Sequence, residues 1–240
     1  MSSSNSPLLQ RFSSRPALDA ALADQLEPVL GSDSEGGVAV MLSGGTTPLP
    51  AYRMVAARGV RPSRNLVLLY SDDRYVPSSS DASNYHQTAP LLDALALPSE
   101  RVLRVATELS LAEAAADYER RLGQLFEAEV KFPLGLLGLG ADGHTASLFS
   151  AQDLERARGK LALAVHRPDG RDAVSVTPSV LERIERVVFV VAGQDKRSAL
   201  TQLLARSPDC IAWRAVMSCP RVEVWTDPEA WPEAGAASGR

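Results

Sequence analysis

Cysteine is scarce in this chain. Its 240 residues include only Cys210 and Cys219, too few and too close together for a disulfide scaffold, and two reduced thiols are the simpler reading. No Cys-x-x-Cys or comparable ligand spacing occurs and there are three histidines, so no metal site and no cofactor are expected. No apolar run approaches the roughly 20 residues that cross a bilayer. The polar start, Met1 to Ser6, lacks the basic region and apolar core of a secretory signal. A basic excess is missing too. Acidic residues outnumber basic ones by 29 to 25, and the net charge of −4 argues against non-specific nucleic-acid binding. The expectation is a cytoplasmic protein with no membrane and no nucleic-acid partner. A small anionic ligand stays open, because a few local cations outweigh a weak global charge.

Apolar residues make up 45% of the sequence and charged ones 22%, the composition of an ordinary globular protein. One α/β domain of this length buries a full core. Residues 1–12 read as a weakly ordered N-terminus, 13–231 as a single α/β catalytic domain and 232–240 as a disordered tail with nothing large to bury.

Short continuous apolar runs alternate with amphipathic stretches. Strands are predicted at 38–42, 66–70, 134–138, 161–166, 173–176, 187–191 and 222–225. Helices are predicted at 16–27, at 48–58 with Thr47 as N-cap, at 84–95 with Pro90 as a kink, after the Ser110/Glu113 capping box, after Thr177-Pro178, and after Asp195 as a cap. This alternation implies a mostly parallel sheet with helices on both faces. Such sheets bind ligands in the loops at the carboxyl ends of their strands.

Three of those loops carry chemistry. Ser43-Gly44-Gly45-Thr46-Thr47-Pro48 leads into a helix, where free N–H groups suit a phosphate. It would serve equally as a tight strand–helix turn. Ser71-Asp72-Asp73-Arg74 offers carboxylates for sugar hydroxyls and a guanidinium fork for phosphate, although composition alone favours a solvated loop. In Gly138-Leu139-Gly140-Ala141-Asp142-Gly143-His144, Gly140 and Gly143 bracket Asp142 and leave a histidine at a strand end, at an expected helix start. A histidine titrates near neutrality and can take a proton from water, and a nearby carboxylate could fix its tautomer. His86 and His166 read as structural. Ser147 lacks the Gly-x-Ser-x-Gly elbow of a serine nucleophile.

Taken in order, Leu42 to Pro48, Asp72 to Pro77 with Ser83-Asn84-Tyr85, and Gly138 to Phe149 resemble the 6-phosphogluconolactonase family across about residues 10–230. The resemblance implies a Rossmann-like fold of the NagB/RpiA/CoA transferase type. It also implies metal-free hydrolysis of 6-phosphogluconolactone in the oxidative pentose phosphate pathway, by a monomer or weak homodimer. His144 corresponds to the general base and Asp142 to its partner carboxylate. Ser43, Gly44, Gly45, Thr46, Asp72, Arg74, Arg171 and Lys196 correspond to substrate-binding positions, with Arg167 as the alternative to Arg171. The sequence departs from the family at Asp73, usually Glu, at Ser150, usually Pro, and at His166-Arg167-Pro168. Glucosamine-6-phosphate deaminases are the nearest alternative. They carry a functional Glu five residues after the histidine, where this chain has Phe149. A non-catalytic sugar-phosphate sensor is a second alternative, and a purely structural protein has little need of three such loops.

Overall fold

Apolar runs rich in valine and leucine, too short for helices, become strands here because both of their faces are covered. The computed structural model describes residues 6–32 and 36–231. Its strands are β1 (Leu8–Arg11), β2 (Val38–Leu42), β3 (Leu66–Tyr70), β4 (Asp72–Arg74), β5 (Val102–Leu103), β6 (Lys131–Leu137), β7 (Ala162–His166), β8 (Asp172–Val176), β9 (Val187–Val191) and β10 (Val222–Thr226). Between them run helices α1 (Arg15–Leu30), α2 (Leu49–Ala57), α3 (Asn84–Gln87), α4 (Ala89–Leu95), α5 (Leu111–Glu127), α6 (Ala151–Arg156), α7 (Pro178–Leu181), α8 (Arg197–Leu204) and α9 (Ile211–Val216). Seven strands form a sheet in the order β1-β10-β9-β6-β2-β3-β5, and every neighbouring pair is parallel. A small antiparallel sheet, β4-β8-β7, stands beside it.

Strand side chains alternate between faces. In β2, Val40 and Leu42 join a core built with Leu18 and Leu22 of α1 and Tyr52 of α2. Ala39 and Met41 join the opposite core with Tyr118 of α5, Leu200 of α8 and Val216 of α9. After β2 the chain adds β3 and β5 on one side, and it later inserts β6 on the other. The order therefore reverses between β2 and β6. That switch point is where a sheet of this kind opens a ligand crevice. No helix among the described residues is long and apolar enough to cross a membrane.

The structure departs from the sequence expectations in identifiable places. Leu8–Arg11, expected to be weakly ordered, pairs with β10 as an edge strand; with one neighbour and a mostly exposed surface it has no apolar period to read. Residues 1–5 and 232–240 lie outside the described residues. The expected helix 84–95 breaks at Thr88 into α3 and α4, and Pro90 falls in the first turn of α4, where its missing N–H costs nothing. Thr47 is not an N-cap: Pro48 occupies that position, without a side-chain bond. Asp195 is not the N-cap of α8 either; Lys196 holds that position. Asp195 sits in a 3₁₀ turn, Gln194–Lys196, that precedes α8.

Beneath the second loop, the buried Tyr118 hydroxyl donates to the Tyr70 carbonyl at 2.6 Å and accepts from the Tyr70 N–H at 3.0 Å. Burial pushes this phenol well above its ordinary range, so it stays neutral. Tyr118→Phe strands both backbone groups and should cost about 1–3 kcal/mol. Thermal unfolding should register this as a Tm roughly 2–10 °C lower; an unchanged Tm would refute the accounting.

Candidate active site

A cavity of about 400 Å³ opens over the switch point, within the usual range for small-ligand sites. Ser43, Gly44, Gly45 and Thr46 form one wall. Their loop is pinned from below: the buried Tyr52 hydroxyl donates to the Ser43 carbonyl at 3.0 Å and accepts from the Ser43 N–H at 3.2 Å. Gly44 must be glycine, because a Cβ there would lie 1.9 Å from the Asn84 side chain.

The second wall carries Asp72, Arg74 and Asn84. Asp72 and Asp73 are both buried, so this segment is not the solvated loop that composition favoured. It is held as strand β4 against β8, away from the main sheet. Asp73 ties the wall together: its carboxylate accepts from the N–H groups of Arg74, Asn84 and Tyr85 and from the Ser83 hydroxyl. Burial pushes Asp73 up to about 6, against the pull of the Asn84 and Tyr85 N–H groups. Asn84 then bridges the wall. Its Nδ2 donates to the Asp72 carbonyl at 2.7 Å, and its Oδ1 accepts from Arg74 at 2.8 Å. Arg74 Nε is buried without a hydrogen-bond partner among the described residues.

The third wall is the turn after β6. His144 lines the cavity, and its Nδ1 lies 2.5 Å from Asp142 Oδ1. The His144 N–H also donates to that oxygen at 3.2 Å. Partial desolvation would raise Asp142, but its hydrogen bond and charge interaction with His144 outweigh this and leave it below the usual carboxylate range. With Nδ1 facing a carboxylate, the proton belongs on Nδ1 and the lone pair on Nε2. His144 is not at a helix start as expected. Gly143 at φ +83° and Ala146 at φ +49° leave the right-handed path, and α6 begins only at Ala151, behind a Ser150/Asp153 capping box. Ser150, which departs from the family proline, therefore has a capping task of its own.

Two further cations reach the cavity. Lys196 lines it beside Asp195, with Nζ 3.1 Å from the carboxylate. From the β7–β8 hairpin comes Arg167, not Arg171. The turn sets the two opposite each other, with the Arg167 N–H donating to the Arg171 carbonyl, yet Arg171 stays exposed while the Arg167 side chain is only 12% exposed. Arg167 Nη1 donates to the Ser147 hydroxyl at 2.9 Å, and that hydroxyl donates to Asp72 at 2.6 Å. Ser147 is fully buried and committed on both sides, so it is a strut and not a nucleophile.

Asn84 has no role legible in the sequence beyond its place in the Ser83-Asn84-Tyr85 segment, and Arg167 stands there only as the alternative to Arg171. Among the described residues no cluster of three or more His, Cys, Asp or Glu side chains is placed to hold a metal ion.

Comparison with known proteins shows which family the chain belongs to. Residues 13–224 match a family described as glucosamine-6-phosphate isomerases/6-phosphogluconolactonase. A 6-phosphogluconolactonase of Nostoc sp. is 35% identical over 196 residues, covering 79% of this chain and 81% of that protein. The crystal structure of 6-phosphogluconolactonase from Thermotoga maritima superposes with a TM-score of 0.77 at 27% identity, covering 92% of this chain and 99% of that one. A monomeric glucosamine-6-phosphate deaminase also superposes, with a TM-score of 0.76 over 93% of this chain and 98% of that one, but at 18% identity this shows the fold alone.

Proposed function

This chain is an enzyme that belongs to the glucosamine-6-phosphate isomerase/6-phosphogluconolactonase family, and we propose that it is a lactonase, opening 6-phospho-D-glucono-1,5-lactone to 6-phosphogluconate. In this reading it works in the cytoplasm, in the oxidative pentose phosphate pathway, without a cofactor. The observation that carries the reading is the Asp142–His144 pair on one wall of a cavity whose other walls present Arg74, Arg167 and Lys196. One base facing a set of cations suits a neutral ester on an anionic sugar. All of these groups come from one chain.

The phosphate is gripped by Lys196 and Arg74, which both line the cavity. The lactone carbonyl lies towards the turn after β6. His144 Nε2 takes a proton from water, and the water oxygen bonds to C1. The tetrahedral intermediate collapses with cleavage of the bond from C1 to the ring oxygen. The imidazolium returns its proton to that oxygen, giving the open acid. Backbone N–H groups or a cation stabilise the oxyanion.

The direct test follows loss of 6-phosphogluconolactone, corrected for spontaneous hydrolysis. Enzyme-dependent loss supports the reading. Ammonia release from glucosamine 6-phosphate without lactone hydrolysis would replace it with the deaminase activity. Lys196→Ala should raise KM at least tenfold, roughly 1.4 kcal/mol of binding, and leave kcat within about threefold, since phosphate contacts act alike on ground and transition states. An unchanged KM would take the phosphate away from Lys196.

A further inference from the structure

One aromatic ring stands between the proposed base and the arm that closes the cavity. The Phe149 ring centroid lies 4.2 Å from that of His144, at an interplanar angle of 36°. The Arg167 guanidinium carbon lies 5.0 Å from the centre of the same Phe149 ring. Arg167 is itself fixed, by Ser147, by the buried Asp72 carboxylate 3.9 Å away and by Asp169. The geometry points to Phe149 as a positioning residue. It couples the orientation of the His144 ring to the Arg167 arm, so that the two are set as a unit.

The physical need is clear from the His144 contacts. Nδ1 has one side-chain partner, Asp142, whose own side chain is 58% exposed. A single hydrogen bond to an exposed carboxylate lets an imidazole rock about its bond to the backbone. A packed aromatic neighbour removes that freedom. A cation over the aromatic ring is favourable as well, the more so when desolvated, as Arg167 largely is. The turn 144–149 thus carries the base at one end. Further along it carries two of the groups that hold Arg167, the Ser147 hydroxyl and the Phe149 ring. Neither of these touches the reacting atoms. Phe149 acts through His144, and the proposal rests on the lactonase reading with His144 as base.

The test is steady-state hydrolysis of 6-phosphogluconolactone by Phe149→Leu. A misplaced base costs turnover, so kcat should fall roughly ten- to hundredfold while KM stays within about twofold. Phe149→Tyr keeps the ring and should recover most of the loss. In a His144→Ala background the same leucine substitution should change the residual rate less than about twofold, because the effect travels through the imidazole. Should Phe149→Leu not fold, Phe149→Met keeps similar volume without a ring and carries the same test. A kcat near wild type, a change confined to KM, no rescue by tyrosine, or a loss that persists without His144 each overturns the coupling. If His144→Ala alone keeps normal turnover, the base assignment fails first and the coupling fails with it; lost turnover in His144→Ala beside normal turnover in Phe149→Leu defeats the coupling only.

Discussion

His144→Ala should lower kcat for lactone hydrolysis by roughly 10²–10⁴-fold, the usual worth of a positioned acid–base group. In barrier terms this is about 2.7–5.4 kcal/mol. KM should move little, because the groups proposed to grip the phosphate, Lys196 and Arg74, lie on other walls of the cavity. The substrate hydrolyses spontaneously, so the variant must be compared after subtracting the uncatalysed rate. Near-normal kcat in a folded His144→Ala protein would remove the imidazole from the chemistry. Asp142 bears on the same experiment. Its carboxyl is held below the usual range by His144 despite some desolvation. A depressed carboxyl contributes stability above its unfolded value and loses it as pH falls through the folded one. The pair therefore keeps its carboxylate acceptor under conditions acidic enough to protonate a free aspartate. A decline in rate on mild acidification is then assigned to groups other than Asp142.

The strands and the three loops were legible in the sequence because each follows from a local rule. A run such as Val187–Val191 has only one comfortable environment, the interior of a covered sheet. Loops that follow such runs fall at strand ends, and strand ends in a parallel sheet face the ligand. What escaped the sequence was long-range. The choice of Arg167 over Arg171 depends on Ser147 and Asp72, 20 and 95 residues away in the chain, and no local pattern encodes that strut. Asp73 reads as a solvated acid until β4 pairs with β8 and buries it beneath the N–H groups of residues 84 and 85. The helix expected at His144 failed for a local reason that composition concealed. Gly143 in a left-handed conformation was legible as permission to turn, but Ala146 in the same region was not.

Gly140→Ala should abolish most turnover while leaving the protein folded. Gly140 and His144 close a tight loop: the Gly140 N–H donates to the His144 carbonyl at 2.9 Å, and the Gly143 N–H donates to the Gly140 carbonyl at 3.0 Å. The imidazole and the Asp142 carboxylate lie across the bare Cα of Gly140. A Cβ there would sit 2.0 Å from His144 Nδ1 and 2.4 Å from Asp142 Oδ1, far inside contact distance. Two effects compete for the outcome. Backbone strain is the smaller, because Gly140 is not among the positive-φ glycines and alanine can adopt its conformation. The steric conflict is the larger, and it falls on the hydrogen bond between Nδ1 and the carboxylate, so the pair must separate or the loop must open. A displacement of about 1 Å at a reacting group costs roughly a hundredfold in rate. The expected result is a kcat reduced at least that far, with Tm within about 4 °C of wild type, since the strain is local and half-exposed. Turnover within about threefold of wild type would mean that the pair can shift without consequence, and the geometry of Asp142 and His144 would then have no part in catalysis.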